Sequence, residues 1–176
     1  MEERVVIVDE NDNNLGTEEK LEAHKKGLLH RAFSIFIFNE KKQLLIHKRN
    51  SQKYHSGGLW TNTCCGHPRP NEAVEKAAFR RLYEEMGFSC TLEKQFDFIY
   101  KADFDNGLTE HELDHVFTGQ FSNDPNPNPV EVEDWRFVDW DWLLKDVNLH
   151  PKKYTVWFKI CLDKFNKTVI SSLKIQ

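Results

Sequence analysis

The sequence predicts an α/β protein of the α+β kind, a mixed β-sheet flanked by helices. Three observations predict it. Apolar strand-like runs fill the first quarter of the chain and the stretch from 92 to 121. A strongly helical segment, 72–86, lies between them, and an amphipathic stripe follows near the end, at 152–166. Strands, a central helix, more strands and a closing helix suit a sheet covered by helices. At 176 residues the chain is expected to form one domain, 1–176, with a core of its own.

The elements follow in order. "RVVIV" (4–8) reads as a short opening strand. "AFSIFIFN" (32–39) and "QLLIHKR" (43–49) are apolar runs separated by "EKK", the pattern of a hairpin. In 72–86, Val74, Ala78, Leu82 and Met86 recur at helical spacing, with Asn71 placed to cap the start and Gly87 to end it. "LEKQFDFIYKADF" (92–104) and "EHELDHVFTGQF" (110–121) read as two longer strands around a "DNG" turn. The proline-rich "SNDPNPNPVE" (122–131) is a surface loop, "DWRFVDW" (134–140) a short strand, and a short helix starts near Asp141. The last stripe puts Tyr154, Trp157, Phe158, Cys161, Leu162 and Phe165 on one helical face.

Composition excludes some functions. Hydrophobic residues are 39% and charged residues 30%, which fits a folded, soluble chain. The net charge is −4 and no basic run is dense, so a nucleic-acid surface is not expected. No apolar run approaches membrane-spanning length and "MEERVVIVDE" is too short and acidic for a signal peptide, so a cytoplasmic protein without membrane contact is expected. The four cysteines, Cys64, Cys65, Cys90 and Cys161, form no disulfide framework and read as free thiols.

Chemistry concentrates around "WTNTCCGHP" (60–68) and the helix after it. From Gly66 the chain runs through Glu72 to Arg80, Arg81, Leu82, Glu84, Glu85, Gly87 and Phe88. This resembles the Nudix box, Gly-x5-Glu-x7-Arg-Glu-apolar-x-Glu-Glu-x-Gly-apolar, with Arg81 where the box has Glu. A hard cation wants carboxylate oxygens, so Arg81 removes a ligand and adds a like charge. The same guanidinium forks well onto phosphate oxygens. Taken alone, Arg80–Glu84 and Arg81–Glu85 are ordinary i,i+4 pairs on a helix face; the whole box in register favours the functional reading.

The turn and the altered box together resemble the type I isopentenyl-diphosphate isomerases, a family with a Nudix-like fold. The resemblance extends through "TEEKLEAH" (17–24), "LLHRAFSIFIFN" (28–39), "YKADFDNGLTEHELDHVF" (100–117) and "YTVWF" (154–158). It implies a metal-dependent isomerase of isoprenoid biosynthesis that shifts a double bond between isopentenyl and dimethylallyl diphosphate. It assigns Cys65 and Glu112 as the acid–base pair, with Tyr100 sharing the Glu112 proton. Glu112 with Tyr100 then protonates the alkene and Cys65 removes a proton on the far face, the roles reversing with direction. The family's divalent metal site, for Mn²⁺, Mg²⁺ or Zn²⁺, maps to His24, His30, His67, Glu110 and Glu112. Glu85 would hold a Mg²⁺ that arrives with the substrate diphosphate. Lys20, Arg49, Lys53 and Arg81 match the cations that grip the diphosphate, and Trp157 the aromatic residue beside the carbocation.

The residues also permit plainer roles. Cys64 reads as a small buried hydrophobe. Trp157 reads equally as core, and Trp60 as packing beside the turn. His47, His55, His111, His115 and His150 read as surface polar residues. A Nudix pyrophosphohydrolase is the alternative activity, opposed by Arg81, and a non-catalytic metal-binding module is a second, opposed by the retained thiol and acid. A small-molecule diphosphate is the one partner implied; monomer and homodimer both remain open.

Overall fold

The computed structural model describes residues 3–53, 55–104 and 106–170. In chain order the elements are β1 (Arg4–Val8), β2 (Asn14–Glu19), α1 (Lys20–Lys26), β3 (His30–Phe38), β4 (Leu44–Arg49), β5 (Trp60–Thr61), β6 (Cys64–Gly66), α2 (Val74–Met86), β7 (Leu92–Asp103), β8 (Thr109–Gln120), β9 (Val132–Val138), α3 (Trp140–Leu149) and α4 (Val156–Phe165). A 3₁₀ turn, Pro151–Lys153, precedes α4 and a π-turn, Asn166–Ile170, follows it.

The sheet is mixed, and β3 is its hub. β3 runs parallel to β8 in unbroken register from His30↔Glu112 to Phe38↔Gln120, and antiparallel to β1 and β6. β7 and β8 form the long antiparallel hairpin expected around residues 105–107. Strand alternation sends Phe33, Ile35 and Ile37 to one face, where they pack with Leu45 and Phe117 against Ala77, Ala78, Leu82 and Met86 of α2. Phe36, Ile46 and Val116 face the other way, onto Trp157, Phe158 and Phe165 of α4. Among the described residues, no helix is long and apolar enough to cross a membrane.

The structure differs from the sequence reading in four places. The hairpin of 32–49 pairs only at Phe38↔Leu44; beyond that point β6 takes the facing edge of β3 and β5 that of β4, while β8 and β9 run along the opposite edges of the two strands. Helix α2 starts at Val74, with Ala73 at the cap position and no side-chain cap bond. Asn71 does not cap it; it sits at φ 63° in the preceding turn, where Glu72 accepts the Arg69 N–H. The last helix begins at Val156 with Thr155 as its cap, since Pro151–Lys153 close a separate turn and Tyr154 extends to bridge Trp60. Strand β2 and helix α1 had no apolar signature, β2 being almost wholly exposed.

Gly87 ends α2 as expected, with φ 74° and its N–H on the Tyr83 carbonyl. A Cβ there would lie 2.1 Å from the Asn126 carbonyl oxygen, so the proline-rich loop docks against the helix end only because the residue is glycine.

Candidate active site

The site begins with three buried polar residues. Thr61, Asn62 and Thr63 are inaccessible to solvent; Asn62 and Thr63 tie the Cys64–Cys65 segment to the sheet, and Thr61 accepts from Thr155 and Trp157 at the start of α4. Asn62 Nδ2 donates to the carbonyls of Ile35 and Cys64, and Thr63 Oγ1 donates to Leu45 O at 2.6 Å. The strand so fixed places Cys64 in the α2 core and Cys65 on the opposite face, in register with Ser34 of β3. Gly66 follows because Phe33 and the Arg81 stem press on it; a Cβ would meet Phe33 Cζ at 3.2 Å and Arg81 Cγ at 3.7 Å.

Four residues from four elements converge beside that turn. His24 comes from α1, His30 opens β3, His67 follows β6, and Glu112 lies on β8 directly opposite His30. Their donor atoms all lie within 4.8 Å of one another. His24 Nδ1 and His30 Nδ1 donate to the carbonyls of Lys20 and Leu28, at 2.7 and 2.8 Å. Both Nε2 lone pairs are thereby turned inward. His30 Nε2 is buried with no hydrogen-bond partner and lies 3.6 Å from Glu112 Oε1. His67 Nε2 is 2.8 Å from the same oxygen. Burial holds His24 below its ordinary pKa and pushes His67 down to about 4, so these two rings rest neutral. Burial works against the Glu112 charge, yet His30 and His67 beside it hold its carboxyl well below the usual range. Three imidazoles around one carboxylate, with an unclaimed buried nitrogen among them, are the donor set of a borderline divalent cation, and the residues fit one.

Glu110 stands next to this group. As expected for residues two apart on a strand, Glu110 and Glu112 share a face, and the Tyr100 hydroxyl reaches both: 2.6 Å to Glu112 Oε2 and 3.1 Å to Glu110 Oε2. Glu110 is joined to the four through Tyr100 and is not itself within their 4.8 Å circle. Burial, then the Glu112 charge, push Glu110 well up and keep Tyr100 a neutral phenol. Burial also pushes the Cys65 thiol up, so sulfur keeps its proton at rest.

Cys65, Tyr100, Glu110, Glu112 and Trp157 line one cavity of about 350 Å³, and Lys20, Arg49, Lys53, Arg81 and Glu85 line it with them. Each cation has a companion. Lys20 pairs with Glu3 at 3.1 Å, Lys53 with Glu131, and Arg81 with Glu84, Glu85 and Glu131. Arg49 differs: its Nε is buried without a hydrogen bond and its guanidinium carbon sits 5.0 Å from the Trp157 ring centre. Trp157 belongs to the core and also reaches the cavity. It is packed in the α4 core, lines the cavity, and donates its Nε1–H to Thr61 Oγ1 at 3.0 Å. Trp60 packs as expected, under the Arg136 guanidinium.

Sequence reasoning missed several residues. His55 lines the cavity, and His47 and His115 are buried, none being a surface residue. Glu3 and Glu131 line the cavity too, although one precedes the first strand and the other ends a proline-rich loop. No local pattern marks them, because distant segments bring them there.

Residues 28–158 match the NUDIX domain family. The chain is 53% identical to "Isopentenyl-diphosphate Delta-isomerase 1" of Aromatoleum aromaticum over 93% of each protein. It is 54% identical to "Isopentenyl-diphosphate Delta-isomerase 2" of Photorhabdus laumondii over 90% of each. The crystal structure of DR0079 from Deinococcus radiodurans superposes on 84% of this chain and 90% of its own, with a TM-score of 0.70 at 19% identity, a likeness of fold. Half-identical to such relatives over nine-tenths of its length, the chain belongs to the isopentenyl-diphosphate Delta-isomerases of the Nudix family.

Proposed function

We propose that the protein, acting as one domain, interconverts isopentenyl and dimethylallyl diphosphate in the cavity lined by Cys65 and the Tyr100–Glu112 pair. The observation that carries this is that one cavity is lined by a thiol, a carboxylate-bound phenol and an indole together with four cations. Such a cavity matches a substrate that is apolar at one end and polyanionic at the other.

The reaction needs one proton in and one out. In the forward direction the Tyr100–Glu112 pair delivers a proton to the terminal alkene carbon, leaving a tertiary cation. Cys65, as thiolate, takes a proton from the carbon between the cation and the diphosphate-bearing carbon, and the new double bond forms. Protons balance on the substrate, and the enzyme ends with its two sites exchanged: thiol at Cys65 and an ionised carboxylate at Glu112. That is the resting state that burial and the histidines favour, and it is the state that starts the reverse reaction. Solvent must reset the enzyme between turnovers, so solvent protons enter the product. Trp157 offers its ring face to the cation, worth about 2 kcal/mol when desolvated.

His24, His30, His67, Glu112 and Glu110 would hold a divalent cation, which when bound supplies positive charge beside the acid. Glu85 would hold a Mg²⁺ accompanying the diphosphate, and Lys20, Arg49, Lys53 and Arg81 the phosphate oxygens themselves. The test is incubation of isopentenyl diphosphate in D₂O with Mg²⁺ and Mn²⁺. Deuterium in the dimethylallyl product, lost on adding a chelator, is expected; release of phosphate or pyrophosphate without isomerisation would overturn the reading.

A further inference from the structure

His55, on the loop between β4 and β5, has no part in the scheme above, yet it lines the cavity and neighbours Arg49, Trp157 and Glu110 there. Its ring lies 5.6 Å from Phe104, tilted by 32°, and 5.7 Å from Trp157, edge-on at 89°. Its Nε2 faces Glu110 Oε1 at 4.0 Å, both side chains being nearly buried. Its own carbonyl accepts a hydrogen bond from Arg49 Nη2 at 3.4 Å. One residue therefore meets Arg49 through its backbone and the indole through its ring, and turns its Nε2 toward the second carboxyl of the tyrosine-bridged pair.

We infer that His55 is a positioning residue for the isomerisation: its Nε2 closes a hydrogen bond onto Glu110 when substrate binds, and so fixes Glu110 and Tyr100 against the alkenyl end. The inference rests on the isomerase reading. The gap is about 1 Å beyond a hydrogen bond, and catalytic hydrogen bonds commonly stand open in the free enzyme and tighten in the complex. Phe104 and Trp157 both pack on the ring, and Nδ1 lies 3.4 Å from Ser56 Oγ, which leaves Nε2 as the nitrogen on the Glu110 side. A single proton between Nε2 and the carboxyl suffices, whichever of them carries it. When substrate draws Arg49 onto a phosphate, the His55 carbonyl is released from, or moved with, that arginine, which couples diphosphate binding to the closing of this contact.

Two substitutions separate this role from packing. His55→Phe keeps a ring between Phe104 and Trp157 but removes the nitrogen; His55→Gln loses the ring but sets an amide nitrogen near the Nε2 position. Losing the bond should lower kcat about tenfold in His55→Phe with KM changed less than about twofold, and His55→Gln should recover most of it. Packing alone predicts the opposite order, which would overturn the proposal, as would a fully active His55→Phe. A second readout needs no turnover. In histidine-¹⁵N-labelled, Mg²⁺-loaded protein, Glu110→Gln should move the His55 Nε2 resonance; a resonance indifferent to that change refutes the contact. Should the wild type fail to isomerise, the isomerase reading falls, while the resonance still decides whether His55 engages Glu110.

Discussion

Removing one oxygen, by Tyr100→Phe, tests the acid–base centre most directly. The hydroxyl has a single hydrogen and two carboxylates to serve, and the 2.6 Å contact to Glu112 marks the principal bond. That length is typical of a charge-assisted O–H···O⁻ bond. Glu110 and Glu112 are both buried, so neither can replace the lost donor with bulk water. A hydrogen bond to a charged group contributes about 1.5–3 kcal/mol, and folding stability should fall by roughly that amount. If about 2 kcal/mol of the same interaction is expressed only in the transition state, kcat falls about 30-fold. Loss of a full proton donor would take it to about 100-fold or beyond. The assay is deuterium incorporation from D₂O into the allylic product, followed by NMR, beside urea unfolding of the same samples. A variant less stable but equally fast in exchange would make the Tyr100 bond purely structural. One with wild-type stability and exchange would refute the reasoning from burial altogether.

The other predictions divide the site. Cys65→Ala should abolish deuterium incorporation while the protein still folds, whereas Cys64→Ala, in the α2 core, should cost about 1 kcal/mol of stability and leave exchange intact; an active Cys65→Ala would remove the thiol from the mechanism. Arg81→Glu sets a further carboxylate against Glu84, Glu85 and Glu131, so KM for isopentenyl diphosphate should rise at least about tenfold with a smaller change in kcat; an unchanged KM in steady-state kinetics would take Arg81 out of the clamp. Mn²⁺ or Zn²⁺ at a hundred times its Kd should stabilise the fold by about 2.7 kcal/mol, read as a rise in Tm, and His24→Ala should lose that rise. The pH response follows from His47, which burial pushes down to about 4 from an unfolded value near 6.5. The unfolded chain takes up that proton first, so stability is full above pH 6.5 and falls toward pH 4, by up to about 3 kcal/mol. Urea unfolding of metal-free protein should show the fall, and His47→Gln should make it shallower by the His47 share, His24 and His67 keeping theirs; a profile unchanged by His47→Gln would contradict a neutral buried ring.

How much of this was legible in the sequence depended on the kind of signal. Strands β3, β7 and β8 and helix α2 carry their own periodicity, and the structure has them within a few residues. The metal-ligand candidates were found through a family pattern, and the structure brings His24, His30, His67 and Glu112 together although α1, which carries His24, was not foreseen. That helix is mostly polar, so no apolar stripe announced it. His47, His55 and His115 were misread for a related reason. A histidine's burial is decided by what crosses above it, and β6, β9 and the 50–58 loop arrive from elsewhere in the chain. Strand pairing was likewise hidden: nothing in "QLLIHKR" says that its main neighbour lies some ninety residues on, at 132–138.

The position of Arg81 shows how one fold can favour isomerisation over hydrolysis. Hydrolysis in a Nudix helix draws on carboxylates that gather metal and activate water. Here the guanidinium occupies that place and ties up Glu84 and Glu85. The carboxylates Glu3, Glu131 and Glu85 pair with Lys20, Lys53 and Arg81. If these cations form the proposed clamp, it is pre-organised, and an incoming diphosphate would exchange one set of anions for another. A polyanion would compete with three such pairs better than an uncharged or singly charged alkene. Arg49, with a buried donor unmet and its guanidinium 5.0 Å from the Trp157 ring centre, stands between the two kinds of lining. In the proposed reaction an alkyl cation would meet the Cys65 sulfur, the Tyr100 phenol and the Trp157 indole, all of which line the same cavity, in place of bulk water. That lining would let a carbocation survive long enough to lose the second proton.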